Sequence, residues 1–149
     1  MKNNLLMVTL ISSLMASTAS AGTNEWTAGW GMGASEHLID DGNSNSLNVS
    51  CPDDPEGHVS AYATIGGKEY SSEDDIGFDV IVDGVIYRHP FYTDCRACDA
   101  SFPGFWQALR KANRLELMAE GKVVRLSTNN IAAVLPALDS PENTCRSAW

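Results

Sequence analysis

The dipeptide Asp83-Gly84, inside "GFDVIVDGVIYRHPF" from Gly77 to Phe91, constrains the fold of this chain more than any other stretch. Apolar residues alternate on both sides of it, and Asp-Gly suits a two-residue turn whose central residues both take positive φ. The stretch therefore predicts an antiparallel hairpin. In that register Val82 faces Val85, Val80 faces Tyr87 and Phe78 faces His89, with Asp79 opposite Arg88 on the other side. "RLELMAEGKVVRLS" repeats the device around Glu120-Gly121, where Leu115, Leu117, Val124 and Leu126 share a face and Glu116 meets Arg125. Opposite charges falling across from one another agree with both registers.

Other segments fill in the architecture. Glu25 to Met32 predicts a first strand with Trp26 and Trp30 on one face, "SLNVSC" a strand ending at Cys51, and "HVSAYATI" a strand ending at Ile65. "DDGNSNS" and "PDDPEG" are turn-rich, and "GGKEYSSEDD" reads as a polar loop. "SFPGFWQALRKAN" fits an amphipathic helix starting at Ser101, which would cap it, with Pro103 in the first turn. "NNIAAVLPALD" predicts a short helix capped by Thr128 or Asn129 and bent or ended by Pro136, before an irregular tail. Runs of strands with two helices and no βαβ pattern predict an α+β, mostly β fold. The expected form is a small antiparallel β-sandwich or barrel with two short helices, stabilised by disulfides.

The N-terminus sets the address. Lys2, a short apolar run from Leu5 to Met15, and Ala19-Ser20-Ala21 have the three-part layout of a bacterial secretory signal peptide. The run is too short to span a bilayer, and no later segment is apolar enough to do so. Residues 1–21 are thus expected to be removed, leaving residues 22–149 as one β-rich domain in the periplasm, or secreted. Its length allows a substantial core. Formal net charge is −9, and loss of Lys2 makes it one unit more negative. That acidity argues against nucleic acid and anionic membrane surfaces and is compatible with a basic protein partner. The sequon at Asn48-Val49-Ser50 would matter only in a eukaryotic secretory route.

All four cysteines, Cys51, Cys95, Cys98 and Cys145, lie beyond the signal segment. In an exported chain an even count reads first as two disulfides. The preferred pairing is Cys95–Cys98 locally and Cys51–Cys145 over the long range, with cross pairing of Cys51 to Cys95 or Cys98 still open. Two other chemistries compete for the "CRAC" pair. A redox dithiol needs a thiolate, which a helix N-terminus favours. Here the helix is expected to begin only at Ser101, and Asp94 and Asp99 flank the sulfurs. A zinc site of His89, Cys95 and Cys98 lacks a second CxxC or a paired histidine.

The remaining candidates are weaker. His37, His58 and His89 are far apart in sequence, with no HExxH and no nucleophile elbow. The acidic loops lack the spacing of a calcium loop. No metal or cofactor is called for. Trp26, Trp30, Trp106 and Trp149 read first as core and edge packing, and Trp26, Trp30 and Trp149 are the candidates to anchor a partner if exposed.

From the first hairpin onward the order is "VDGVIYRHPF", the cysteine pair, "FWQALRKANRLEL", "KVVRLS", "NIAAVLPAL", and a closing Cys with a Trp. Over Gly77 to Cys145 this resembles the invasion-associated locus B family and the TagO/VasI proteins associated with type VI secretion. The resemblance implies an exported β-rich domain with a non-enzymatic accessory role at the cell envelope, and it supplies no catalytic residues. Three functions follow as expectations. The first is an accessory module acting through contact with another protein. The second is a periplasmic inhibitor or immunity protein against a lysozyme-like enzyme or toxic effector. The third is a thiol-disulfide oxidoreductase using Cys95 and Cys98.

Overall fold

Alternation of buried and exposed residues builds two antiparallel sheets in the computed structural model, which describes residues 23–149. The signal peptide expected over residues 1–21 lies outside the described residues. The first sheet is a meander of β1 (Thr27–Gly31), β2 (Ala34–Asp40), β3 (Ser46–Pro52), β4 (Ser60–Ile65) and β5 (Lys68–Ser71), ordered as in the chain. The second contains β6 (Asp79–Val82), β7 (Val85–Tyr87), β8 (Leu115–Ala119) and β9 (Lys122–Leu126), in the order β7-β6-β8-β9. Helix α1 (Arg96–Arg110) connects β7 to β8, and α2 (Ile131–Val134) follows β9.

β4 packs on β8 and β9, so the sheets lie face to face as a sandwich. Leu47, Val49 and Cys51 of β3, Ala61, Ala63 and Ile65 of β4, and Leu115 and Leu117 of β8 supply its interior. Phe102, Phe105, Trp106 and Leu109 recur at helical spacing and bury one face of α1 against the same core. Phe91 meets Phe105 edge-on, with ring centroids 5.1 Å apart.

Both hairpins form as their turns dictate. Asp83 and Gly84 have φ of 50° and 86°, and Glu120 and Gly121 have 47° and 79°. Val82 pairs with Val85, Val80 with Tyr87, Leu115 with Leu126 and Leu117 with Val124. The first ladder is shorter than expected, ending at Tyr87, so Phe78–His89 and Asp79–Arg88 do not pair. The Asp79 carboxylate instead accepts the His89 backbone N–H at 2.9 Å, and His89 takes a φ of 44° that turns the chain away from the sheet. In the second hairpin Glu116 does sit opposite Arg125, while its carboxylate takes the Arg114 guanidinium at 2.8 Å.

Four local expectations need correction. The first strand begins at Thr27, one residue after Trp26, and Trp26 and Trp30 do not share an environment. "ASEHLID", given no structure from sequence, is β2, and β5 lies within the expected polar loop. Helix α1 starts at Arg96, so Ser101 is not its cap and Pro103 sits within the helix. Ser101 donates its hydroxyl hydrogen to the Ala97 carbonyl at 2.8 Å. Finally, Asn130, at φ 66°, takes the N-cap position of α2 instead of Thr128 or Asn129, without a side-chain capping bond, and the helix ends where Leu135 becomes extended ahead of Pro136.

Candidate functional site

Cys51 and Cys145 form one disulfide and Cys95 and Cys98 the other, as the preferred pairing had it. The long-range bond spans 94 positions of chain, starts from Cys51 in β3 and is buried. It fastens the tail, which is also held where Thr144 donates to the Cys51 carbonyl at 3.1 Å and Val59 donates to the Arg146 carbonyl at 2.7 Å.

His37 points inward from β2 and is only 5% exposed. Its Nε2 lies 3.8 Å from Cys145 Sγ, its Nδ1 is buried without a hydrogen-bond partner, and burial lowers its pKa. His37, Cys51 and Cys145 bring three donor atoms, one imidazole nitrogen and two sulfurs, within 4.8 Å of one another. The two sulfurs are spent on each other, however, so one imidazole is the only ligand left. This cluster is a staple.

The Cys95–Cys98 pair is placed differently from the sequence expectation. Cys95 is the N-cap of α1, extended at φ −154° and ψ 152°, and its sulfur accepts the Cys98 backbone N–H at 3.0 Å. Sulfur therefore does the work usually done by a serine or aspartate oxygen. The positive end of the helix faces it, which favours a thiolate once the bond is reduced. Of the flanking acids, Asp94 accepts the Trp149 indole N–H at 3.2 Å and Asp99 accepts the Ser147 hydroxyl. Both cysteines are half-buried, and Cys98 borders a groove of about 360 Å³ with Arg88, His89, Tyr92 and Phe105. His89 joins the groove wall but binds the Ser72 carbonyl at 3.0 Å, and it does not gather with Cys95 and Cys98 into a set of ligands. The third histidine, His58, lies 3.7 Å from Glu73.

The tryptophans divide. Trp26 is fully buried and donates its indole N–H to the Ser127 carbonyl at 3.0 Å, so it is a core residue and drops out as a partner anchor. Trp106 is likewise buried. Trp30 and Trp149 are each 70% exposed. Trp30 stands on β1 beside the hairpin tip carrying Met32, which is fully exposed, and its indole binds Asp53 at 2.7 Å. Among the described residues β1 pairs on one edge only, and it carries no charged residue. A surface residue that sequence reasoning passed over is Tyr62, exposed between the inward-facing Ala61 and Ala63. A lone large aromatic among small neighbours at outward positions was its signal.

The YfjT family model matches residues 24–135, a span holding both sheets, both helices and three of the four cysteines. A protein of Escherichia coli K12 described as "Uncharacterized protein YfjT" is 29% identical over 139 residues, covering 87% of this chain and 90% of that relative. No solved structure matches the chain. With its family model spanning the whole sandwich, this chain belongs to the YfjT family.

Proposed function

We propose that this is an exported, non-enzymatic accessory protein of the bacterial cell envelope that works by holding another protein. The observation that carries the reading is the β1–β2 hairpin, where Trp30 and Met32 stand exposed beside an uncharged strand edge that no described residue pairs. Large apolar side chains next to free backbone groups suit strand addition by a partner, with the tryptophan as anchor. The signal-peptide pattern, the two disulfides and the resemblance to exported accessory families support the setting. The test is affinity capture from periplasmic extract with the wild type and a Trp30→Ser/Met32→Ser variant. A protein retained by the first and lost by the second is the expected result. Identical captures from both would overturn it.

The N-cap position of Cys95 favours a second reading, thiol-disulfide exchange. In it a substrate thiolate attacks one sulfur of the Cys95–Cys98 bond and releases the other as a thiolate. A second substrate thiolate then resolves the mixed disulfide, leaving the substrate oxidised and the protein a dithiol. Oxidation of a dithiol peptide by the wild type but not by a Cys95→Ser/Cys98→Ser variant would support this reading. Equal, background rates would remove it.

A further inference from the structure

The outer face of the five-stranded sheet holds a groove apart from both the hairpin tip and the disulfides. Leu38, Asn48, Tyr62 and Ser71 pair in register across β2 to β5, and Asp40, Ser46, Thr64 and Glu69 form the adjacent row. Most of these side chains are short, so Tyr62, 53% exposed, stands over a low bed with Leu38 two strands away. The groove there measures about 480 Å³ and is bordered by Glu69 and Asp74.

Two features specify the occupant. Asn48 lines the groove, and its Oδ1 is buried and meets no donor among the described residues. A buried carbonyl oxygen left unpaired is destabilising, so a ligand N–H that meets it as the Asn48 amide turns into the groove gains more than it would at an exposed oxygen. The charge of the lining is also one-sided. Glu69 and Asp74 have no cationic partner among the described residues, and the lining contains no Lys, Arg or His. Lys68 of β5 is committed elsewhere, to the Glu120 carboxylate. A neutral N–H donor would answer Asn48 but leave the carboxylates uncompensated. A cationic side chain answers both and also lies well on an aromatic face.

We infer that this groove takes a basic peptide segment of a partner protein, with one arginine or lysine laid across Tyr62 and donating to Asn48 Oδ1 and the Glu69 and Asp74 carboxylates. This rests on the proposed protein-binding role but uses a surface separate from the Trp30 hairpin. Binding is salt-sensitive, because its charges are exposed at the rim.

The probe is a fluorescent peptide of alternating alanine and arginine, compared by anisotropy with its citrulline counterpart, which keeps shape and loses charge. The full wild-type domain is expected to prefer the arginine peptide by about tenfold, and Tyr62→Ala to weaken it by a similar factor, the range of a partly desolvated cation–aromatic contact. Tyr62→Phe keeps the ring and retains binding, which separates loss of the contact from loss of the fold. Glu69→Gln/Asp74→Asn abolishes the preference over citrulline, whereas the remote pair Asp139→Asn/Glu142→Gln leaves it intact. Absence of binding, equal binding by Tyr62→Ala, or equal loss with the remote pair would each overturn the inference. Peptide binding unchanged in the Trp30→Ser/Met32→Ser variant keeps its outcome independent of the hairpin's.

Discussion

Tyr70 donates its phenolic hydrogen to Glu120 at 2.7 Å, fastening β5 of one sheet to the β8–β9 turn of the other, and Lys68 reaches the same carboxylate. Hydrogen bonds from Lys68 and then Tyr70 hold the Glu120 carboxyl below its ordinary value of 4.5. The contact therefore contributes fully above that value and is lost as pH falls through the lowered folded value. Glu120→Gln should be less stable than the wild type at neutral pH, and the two thermal midpoints should converge in acid. Scanning both proteins across the acid range checks this.

His37 gives a second pH dependence. Burial lowers its pKa from 6.5, so the unfolded chain takes up a proton before the folded protein does. Stability is present above about 6.5 and falls as pH drops from there toward the folded value. In His37→Gln that slope should disappear, read from urea unfolding at several pH values between about 5 and 8.

The three candidate tryptophans should separate in a stability assay. Trp26→Ala removes a fully buried indole and is expected to cost about 3–5 kcal/mol. Trp30→Ala and Trp149→Ala remove exposed rings and should stay within roughly 0.5 kcal/mol. Chemical denaturation of the three variants decides it.

The disulfides should also rank. On chain entropy, a bridge across 94 positions is worth about 4–5 kcal/mol, and one across three positions about 2 kcal/mol. Cys51→Ser/Cys145→Ser should therefore lower the melting temperature by roughly 15 °C. Cys95→Ser/Cys98→Ser should lower it by less than half as much, in part because serine can still cap the helix. Calorimetry on each pair provides the comparison.

At Gly77, φ is 52° and an added Cβ would collide with the His89 ring, which is held by Ser72. Gly77→Ala combines backbone strain with that clash, and about 2 kcal/mol of destabilisation is expected from denaturant midpoints.

What could be read from sequence was what is decided locally. The Asp83-Gly84 and Glu120-Gly121 turns fix their own geometry, so both antiparallel hairpins, the second register and the inner half of the first followed from them. β2 stayed hidden because its inward positions are His37 and Ile39 and its outward ones include Leu38, which inverts the pattern an amphipathic strand normally shows. The start of α1 was misplaced because Ser101 and Pro103 form a plausible helix opening, whereas the real cap is a sulfur atom. That error mattered, since it put the cysteine pair ahead of the helix instead of at its end. Trp26 and Trp30 have the same parity, but only Trp30 is in the strand, so parity could not tell core from surface.

The four cysteines run along the chain in the order Cys51, Cys95, Cys98, Cys145, and the native partner of the first is the last. Oxidation in order of appearance would join Cys51 to Cys95 and trap the chain. The three-position ring costs less chain entropy to close than the span back to Cys51, because closure entropy rises with loop length. Closing Cys95 to Cys98 first would remove both wrong partners of Cys51 and leave Cys145 as its one remaining mate.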